Sequence, residues 1–329
     1  MHNTQEGLGT RRRRLLGGLG AAAIGACMPI GKAHAALPQV RIFIPANEGG
    51  GWDQTGRALG AALVDSGAAA QVVYENLGGK GGTPGLARYV EAYGSAADTL
   101  LMGGMVMTGA IALHKPPVTL ARVAPVARLT SDYCVLVVRA DSPITTPKAL
   151  VAQLRSQPEK TPIAGGSAGG VDHMFAGMLA RVAGRTADLV YRPFPGGAQV
   201  VEAVVGGQAV AGIAGYSEFA EGIGSGRLRA IGVSSKRPFL GMPSFKEQGV
   251  DVDLANWRGV FTGKDVPAER RQALLQAVRQ AVNSEAWQKA VKRNNWDPFW
   301  QEGSAFQGFV ELDSSMADVL IYLLKLKKG

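Results

Sequence analysis

The chain has 329 residues, of which 46% are hydrophobic and 19% charged, and its formal net charge is +9. Five basic side chains lie in the first 35 residues, so the remaining 294 residues carry 30 basic and 25 acidic groups, a formal charge of +5. A mild positive excess scattered along the chain suits a small anionic ligand and argues against nucleic acid as a partner, while the length suggests two domains.

The first 35 residues have the three-part order of a secretory signal peptide. Four arginines at 11–14 precede an apolar run at 15–26 that is too short to cross a bilayer, and Ala-His-Ala at 33–35 is typical of a cleavage site. We therefore expect a signal peptide at 1–35 and export to the periplasm. The arginines followed by two leucines also resemble a twin-arginine signal. An ordinary signal and a lipid anchor on Cys27 remain alternatives.

After the signal, segments rich in β-branched residues alternate with segments of helical periodicity. Strands are predicted at 40–44, 71–75, 99–102 and 135–138, with helices at 52–64 and from Pro84 onward. Further strands are predicted at 163–165, 189–192, 209–214 and 229–233, with helices at 147–157, 172–182, 198–205 and 218–223. After Trp257 helices dominate, and they are predicted at 267–283, 285–293 and 304–324. This alternation indicates an α/β fold with mainly parallel sheets and flanking helices.

Four glycine-rich turns lie between a predicted strand and a predicted helix. They occupy 49–51, 78–82, 165–170 and 196–197, two in each half of the chain. Such turns lie at the carboxyl ends of parallel strands, where helix N-termini offer unpaired N–H groups and a positive dipole end to an anion. A single turn of this kind would be explained as a tight connection. Four in matching positions predict a two-lobed clamshell with a cleft that holds a carboxylate.

Several side chains beside these turns have two interpretations. Asp53 and Asp172 would repel an anion, so we expect them to cap their helices or to brace the loops by accepting backbone N–H bonds. Trp52 either forms a wall of the cleft or belongs to the core. His173 either donates to a ligand carboxylate or is a packed histidine.

Motifs for catalysis or nucleotide binding do not match this sequence. The phosphate-loop pattern G-x-x-x-x-G-K-[ST] and the nucleophile elbow G-x-S-x-G are both missing. Ser167 is one residue away from the elbow pattern, and no base is evident for it. Cys134 lies in a strand-like apolar run and is predicted to be a buried, inert thiol rather than a nucleophile. We therefore expect no enzyme activity, no cofactor and no metal.

Several motifs resemble those of one family, the substrate-binding proteins of tripartite tricarboxylate transporters (TctC/Bug). Residues 44–59, IPANEGGGWDQTGRAL, resemble its opening signature, and residues 75–82, 165–173, 234–249 and 257–259 are similar to its later motifs. The resemblance covers essentially the whole chain after the signal. It implies a two-domain fold of the periplasmic-binding-protein type, with domain 1 at 36–137 plus 257–329 and domain 2 at 138–256.

The resemblance also implies which residues bind the ligand, through loop amides, hydroxyls and ordered waters. In the first domain they are Asn47, Glu48, Gly50, Gly51, Trp52, Asp53 and Gly79, with Thr130 and Ser131 where the family often has a ligand-facing hydroxyl. In the second domain they are Ser167, Ala168, Gly169, Gly170, His173, Gly196, Gly197, Ala198 and Ser217, with Phe194 and Glu218 beside them. Asn47 and Glu48 depart from the small residues or proline common in the family, which leaves the exact ligand open.

By this resemblance the chain is an exported solute-binding protein. It would capture a small di- or tricarboxylate, similar to citrate, and deliver it to the permease subunits of a tripartite transporter. We expect a monomer with no nucleic-acid partner. The alternatives are a sensor component that presents its ligand to a receptor and a hydrolytic enzyme that uses Ser167 or His173.

Overall fold

Strands and helices alternate along residues 36–325, which are the residues that this computed structural model describes. The predicted signal peptide at 1–35, including its cleavage site and Cys27, lies outside the described residues, as do the last four residues. None of the helices within 36–325 is both long and apolar enough to cross a bilayer.

The first part of the described chain alternates as predicted and ends in a long strand. Its elements are β1 (Val40–Ile44), α1 (Gly51–Asp65), β2 (Val72–Asn76), α2 (Thr83–Tyr93), β3 (Thr99–Gly104), α3 (Met105–His114) and β4 (Val123–Arg139). The sequence did not predict α3, because its residues are apolar on all sides and leave no amphipathic period. Strand β4 has 17 residues, and only its last part was predicted.

The remaining elements alternate up to Val233, where two strands follow each other directly, and two helices do so further on. They are α4 (Pro147–Ser156), β5 (Ile163–Gly165), α5 (Val171–Ala183), β6 (Tyr191–Pro193), α6 (Gly197–Val205), β7 (Ala211–Gly215), α7 (Tyr216–Gly224), β8 (Leu228–Val233), β9 (Ala255–Gly263), α8 (Ala268–Val282), α9 (Glu285–Arg293), β10 (Asp297–Glu302) and α10 (Gly303–Leu323). Helices α8, α9 and α10 dominate after Trp257 as predicted, but the sequence did not predict β9 and β10.

The strands form two lobes that share β4. In the first lobe β1 pairs in parallel with β2 and β3, and in the second lobe β5 pairs in parallel with β6 and β7. Strand β4 pairs antiparallel with β9 and β10 up to Tyr133, and with β7 and β8 from Cys134 onward. The two-lobed α/β clamshell is therefore confirmed. The sheets are mixed rather than mainly parallel, because the strands that connect the lobes run against their neighbours.

Helices pack on both lobes through small residues that allow close approach. A Cβ atom on Gly56 of α1 would lie 2.9 Å from Cδ1 of Ile44, and one on Gly212 of β7 would lie 2.9 Å from Val200 and Val204 of α6. Ile44 and Val200 are almost completely buried. This packing fixes the strand ends, and with them the turns that follow each strand.

Candidate functional site

The four glycine-rich turns open onto one cleft of about 970 Å³. The predicted site residues that line it are Asn47, Glu48, Gly50, Gly51, Trp52, Gly79, Ser167, Ala168, Gly170, Gly196, Gly197, Ala198 and Ser217. Five other predicted residues, Asp53, Thr130, Ser131, Gly169 and His173, are not at the cleft surface. The cleft has the size of a small-molecule site, and the turns of both lobes contribute backbone to it.

Asp53 braces the first turn from below. Its carboxylate is buried and accepts hydrogen bonds from the Gly49 N–H, the Arg57 Nε–H and the Asn76 side-chain amide, each at 2.9 Å. Burial alone would raise the pKa of Asp53, but the bonds from Arg57, Gly49 and Asn76 outweigh it and hold the pKa below its usual value. Asp53 is therefore a support of the loop rather than a ligand contact, which is one of the two roles that the sequence allowed.

The N-terminus of α1 is open toward the cleft. Its N-cap is Gly50, and no side chain caps this helix among the described residues. The N–H groups of a helix's first turn have no partner within the helix, and Gly50, Gly51 and Trp52 all line the cleft. Trp52 is both wall and core: it is 6% exposed, and a Cβ atom on Gly82 would lie 2.7 Å from its ring.

The turn at 166–170 repeats this arrangement in the second lobe. Gly170 caps α5 without a side-chain hydrogen bond, and the Gly166 N–H donates to Asp172 at 2.8 Å, as Gly49 does to Asp53. Within residues 36–325, no arginine pairs with Asp172 as Arg57 pairs with Asp53. Burial raises its pKa to about 7, and the charge of Glu218 adds to this rise. The Cys134 thiol donates to Asp172 at 3.6 Å and is buried, as predicted.

Gly169 and His173 support this turn from inside the protein. The Gly169 N–H donates to His173 Nδ1 at 3.0 Å, and the imidazole stacks on Tyr191 with ring centroids 4.1 Å apart. Burial lowers the pKa of His173 to about 4, so the ring is neutral at neutral pH. Gly169 itself has φ +79° and lies against α3, where a Cβ atom on Gly109 would clash with the Gly169 carbonyl. Neither residue lines the cleft, and for His173 the structure has the packed arrangement, which is one of the two interpretations of the sequence.

Thr130 and Ser131 are also away from the cleft. Both are buried in β4, at a position where the strand pairs with β9 along one edge and with β10 along the other. The Ser131 hydroxyl accepts a hydrogen bond from Arg128 at 2.7 Å. The cleft surface begins with the next residues along the strand, Asp132, Tyr133 and Cys134.

Glu218 joins the turns before α6 and α7. Its carboxylate accepts from the Gly197 N–H at 3.1 Å and from the Gly215 N–H at 3.2 Å. The side chain is accessible from the cleft, and a Cβ atom on Gly197 would contact it. The protein around Glu218 desolvates it and raises its pKa, although the two amide bonds and Arg258 oppose the rise. The N–H groups of Gly197 and Gly215 are thus already bonded to a carboxylate of the chain itself.

Arg258 connects the first lobe to the strand that the lobes share. It is 7% exposed, forms an ion pair with Asp132 of β4, and donates to the Gly51 carbonyl at 3.0 Å and to the Thr55 hydroxyl at 2.9 Å. Burial raises the pKa of Asp132, and Arg258 opposes this. Sequence reasoning missed both residues as site residues, because β9 was not predicted. The available signal was the position of Arg258 inside the family-like Trp-Arg-Gly stretch at 257–259.

The mouth of the cleft is polar and solvated. Asn47, Glu48 and Lys80 line it and are exposed, and Glu48 pairs with Arg57 at 3.3 Å. Over residues 36–325, no group of three or more His, Cys, Asp or Glu side chains is arranged to hold a metal ion.

Comparisons with a family model and with curated proteins point to the same family. The family model described as "Tripartite tricarboxylate transporter family receptor", TctC, matches residues 61–326. The protein BugT of Bordetella pertussis is 26% identical over 303 residues, which are 89% of this chain and 91% of BugT.

Solved structures share the fold. MatC from Rhodopseudomonas palustris, with bound malate, has a TM-score of 0.76 at 20% identity and covers 86% of this chain and 99% of its own. An R. palustris protein solved with adipate has a TM-score of 0.79 at 18% identity and covers 88% of this chain and 98% of its own. The family model spans most of the chain, and the solved structures have the same clamshell. The chain therefore belongs to the TctC family of tripartite tricarboxylate transporter receptors.

Proposed function

We propose that this protein is an exported receptor that captures a small di- or tricarboxylate in the cleft and delivers it to the permease subunits of a tripartite transporter. The observation that carries the proposal is the pair of uncapped helices, α1 and α5, whose N-terminal residues line the same cleft from opposite lobes. A carboxylate between them would meet N–H groups from both lobes.

The energetics of these groups favour an anion. Hydrogen bonds to a charged group each contribute about 1.5–3 kcal/mol, and a helix N-terminus adds about 0.3–1 kcal/mol for a nearby negative charge. The Ser167 hydroxyl lines the cleft beside α5 and offers one more donor. Several such bonds would hold a carboxylate without a salt bridge.

The comparisons support the ligand class and the partner. Two proteins of the same fold were solved with malate and with adipate, which are small dicarboxylates. The family description names a receptor of a tripartite transporter. We propose the periplasm as the location and a monomer as the working form, with export by the predicted signal peptide.

We further propose that the ligand is gripped by two domains, at 36–137 plus 257–329 and at 138–256. The change of β4 partners between Tyr133 and Cys134, and the start of β9 at Ala255, support boundaries close to these. Against the hydrolase alternative, Nδ1 of His173 accepts from the Gly169 N–H, so this nitrogen is not free to take a proton from Ser167.

A panel of organic acids tests this function. The protein, from Ala36 onward, is heated with each acid and the unfolding midpoint is recorded. An acid present at 100 times its Kd should stabilise the fold by about 2.7 kcal/mol, and titration calorimetry then gives the affinity. If no di- or tricarboxylate of two to six carbons raises the midpoint, the proposed ligand class is wrong. Uptake of the bound acid by cells with and without the gene tests delivery.

A further inference from the structure

Glu218 occupies a place where a ligand carboxylate would otherwise bind. Its two carboxylate oxygens accept the N–H groups of Gly197 and Gly215, at the N-termini of α6 and α7, two helices of nine residues each. The anion position of these turns is thus filled from within the chain. At α1 and α5 the side chains of Asp53, Asp172 and His173 accept backbone hydrogen bonds only from glycine N–H groups that precede each helix. Among the described residues, no side chain accepts from the first-turn N–H groups of either helix, and these groups remain open.

The Glu218 carboxylate still has acceptor capacity toward the cleft. An ionised carboxylate offers about four lone-pair positions, and the N–H groups of Gly197 and Gly215 use two of them. Its side chain is exposed and lines the cleft. Any polar group of a ligand that lies against it must therefore donate a hydrogen bond or leave those lone pairs without a partner once water is displaced.

The charges around Glu218 strengthen this requirement. Asp132 and Asp172 also line the cleft on this side, and each adds a negative charge when ionised. Arg258 is the cation that faces them, and it already pairs with Asp132 and donates to the Gly51 carbonyl. A second ligand carboxylate placed here would meet like charge, whereas a hydroxyl or ammonium group would find an acceptor.

We propose that Glu218 is a specificity-determining residue, which selects carboxylates that carry a hydroxyl or ammonium donor on their carbon chain over equally charged acids that lack one. The inference rests on the proposed carboxylate-binding function and narrows its ligand class. In the resulting arrangement, the open N-termini of α1 and α5 hold the ligand carboxylate, and Glu218 accepts from the donor at the other side of the cleft.

Matched acids that differ by one hydroxyl test this directly. Malate is compared with succinate, and citrate with tricarballylate, by titration calorimetry at one pH and one ionic strength. A hydrogen bond to a charged acceptor corresponds to a change in affinity of about tenfold or more. In the wild type, the hydroxy acid of at least one pair should therefore bind at least about tenfold tighter than its deoxy counterpart.

Substitution assigns the preference to its residue. Glu218→Ala removes the acceptor and frees the amides of Gly197 and Gly215, so the deoxy acid should gain affinity and the preference should fall below about threefold. Glu218→Gln keeps the shape and one acceptor oxygen, so it should give an intermediate preference. Glu221→Ala is the matched control, because Glu221 is exposed on the same helix and does not line the cleft. It should leave the wild-type preference unchanged.

The outcomes separate this inference from the proposed function. If deoxy acids bind the wild type as tightly as hydroxy acids, or if both Glu218 variants retain the full preference, Glu218 is not the determinant although carboxylate binding stands. If no acid of the panel binds the wild type or any folded variant, the proposed function fails, and the inference fails with it. Circular dichroism of each variant establishes that it is folded before titration.

Discussion

Replacing Arg258 by Met should be among the most costly single changes at the cleft. The guanidinium is 7% exposed, and its partner Asp132 has a side chain that is 13% exposed. Breaking a buried ion pair by removing one partner costs about 3–5 kcal/mol, because the remaining charge stays buried without compensation. The variant also leaves the Gly51 carbonyl and the Thr55 hydroxyl without their donor.

The loss should depend on pH, and its sign follows from Asp132. Burial already raises the pKa of this carboxyl, and loss of the Arg258 charge raises it further. The folded variant then binds more protons than the unfolded chain at any pH between the two pKa values of Asp132, so its stability falls as pH rises through that window. The destabilisation relative to the wild type should therefore be larger at pH 8 than at pH 5.

Urea unfolding followed by circular dichroism measures the effect at both pH values. Asp141→Asn serves as the control, because Arg139 and Asp141 form an ion pair whose side chains are 52% and 70% exposed. An exposed pair of this kind contributes at most about 1 kcal/mol. A loss below about 1 kcal/mol for Arg258→Met at pH 8, or an equal loss at pH 5 and pH 8, would refute the reasoning.

Three further changes probe the turns. Asp172→Asn should stabilise the protein more at pH 8 than at pH 5. The pKa of Asp172 is about 7 in the folded protein and lower in the unfolded chain, so the wild type loses stability as pH rises toward 7. Equal changes in the free energy of unfolding at the two pH values, measured with urea, would contradict this. Ser167→Ala should weaken carboxylate binding about tenfold to a hundredfold in calorimetry, because it removes a donor to a charged group. Lys80→Ala should change the affinity little, because Lys80 lies at the exposed mouth and salt screens its charge. A larger loss for Lys80→Ala than for Ser167→Ala would mean that a salt bridge carries the affinity. Gly169→Val should lower the unfolding midpoint, because φ is +79° there and a Cβ atom would lie 2.9 Å from Leu113; an unchanged midpoint would show that the turn tolerates a side chain.

Local patterns were sufficient for most elements and for the turns. Strand β1 and helix α1 lie within one residue of their predicted positions, because alternation and helical periodicity are properties of neighbouring residues. The same locality explains Asp53: a carboxylate four residues after the first glycine of a turn can reach back to that glycine's N–H group, as Asp53 does at Gly49. The family-like motifs located the remaining turns along the same cleft.

Elements and side-chain positions that depend on distant partners could not be predicted from local patterns. Strand β9 contains Arg258 and two glycines, and it is a strand because β3 and β4 flank it on both sides. Thr130 and Ser131 have hydroxyls that suit a ligand, yet both are buried where β4 pairs with β9 and β10. His173 follows a glycine turn as a ligand-binding histidine would, but its ring packs on Tyr191, which lies on strand β6.

The sequence by itself therefore determined the alternation of strands and helices, the glycine turns and the family, since each is encoded in short stretches of chain. The tertiary structure decided which groups at those turns remain free. The amides of Gly197 and Gly215 are local features, but the carboxylate that fills them belongs to Glu218, which lies 21 residues after Gly197. Arg258 reaches Gly51 across 207 residues. Hydrogen bonds between distant residues depend on how the lobes fold together, and they determine the charge that a ligand meets in the cleft.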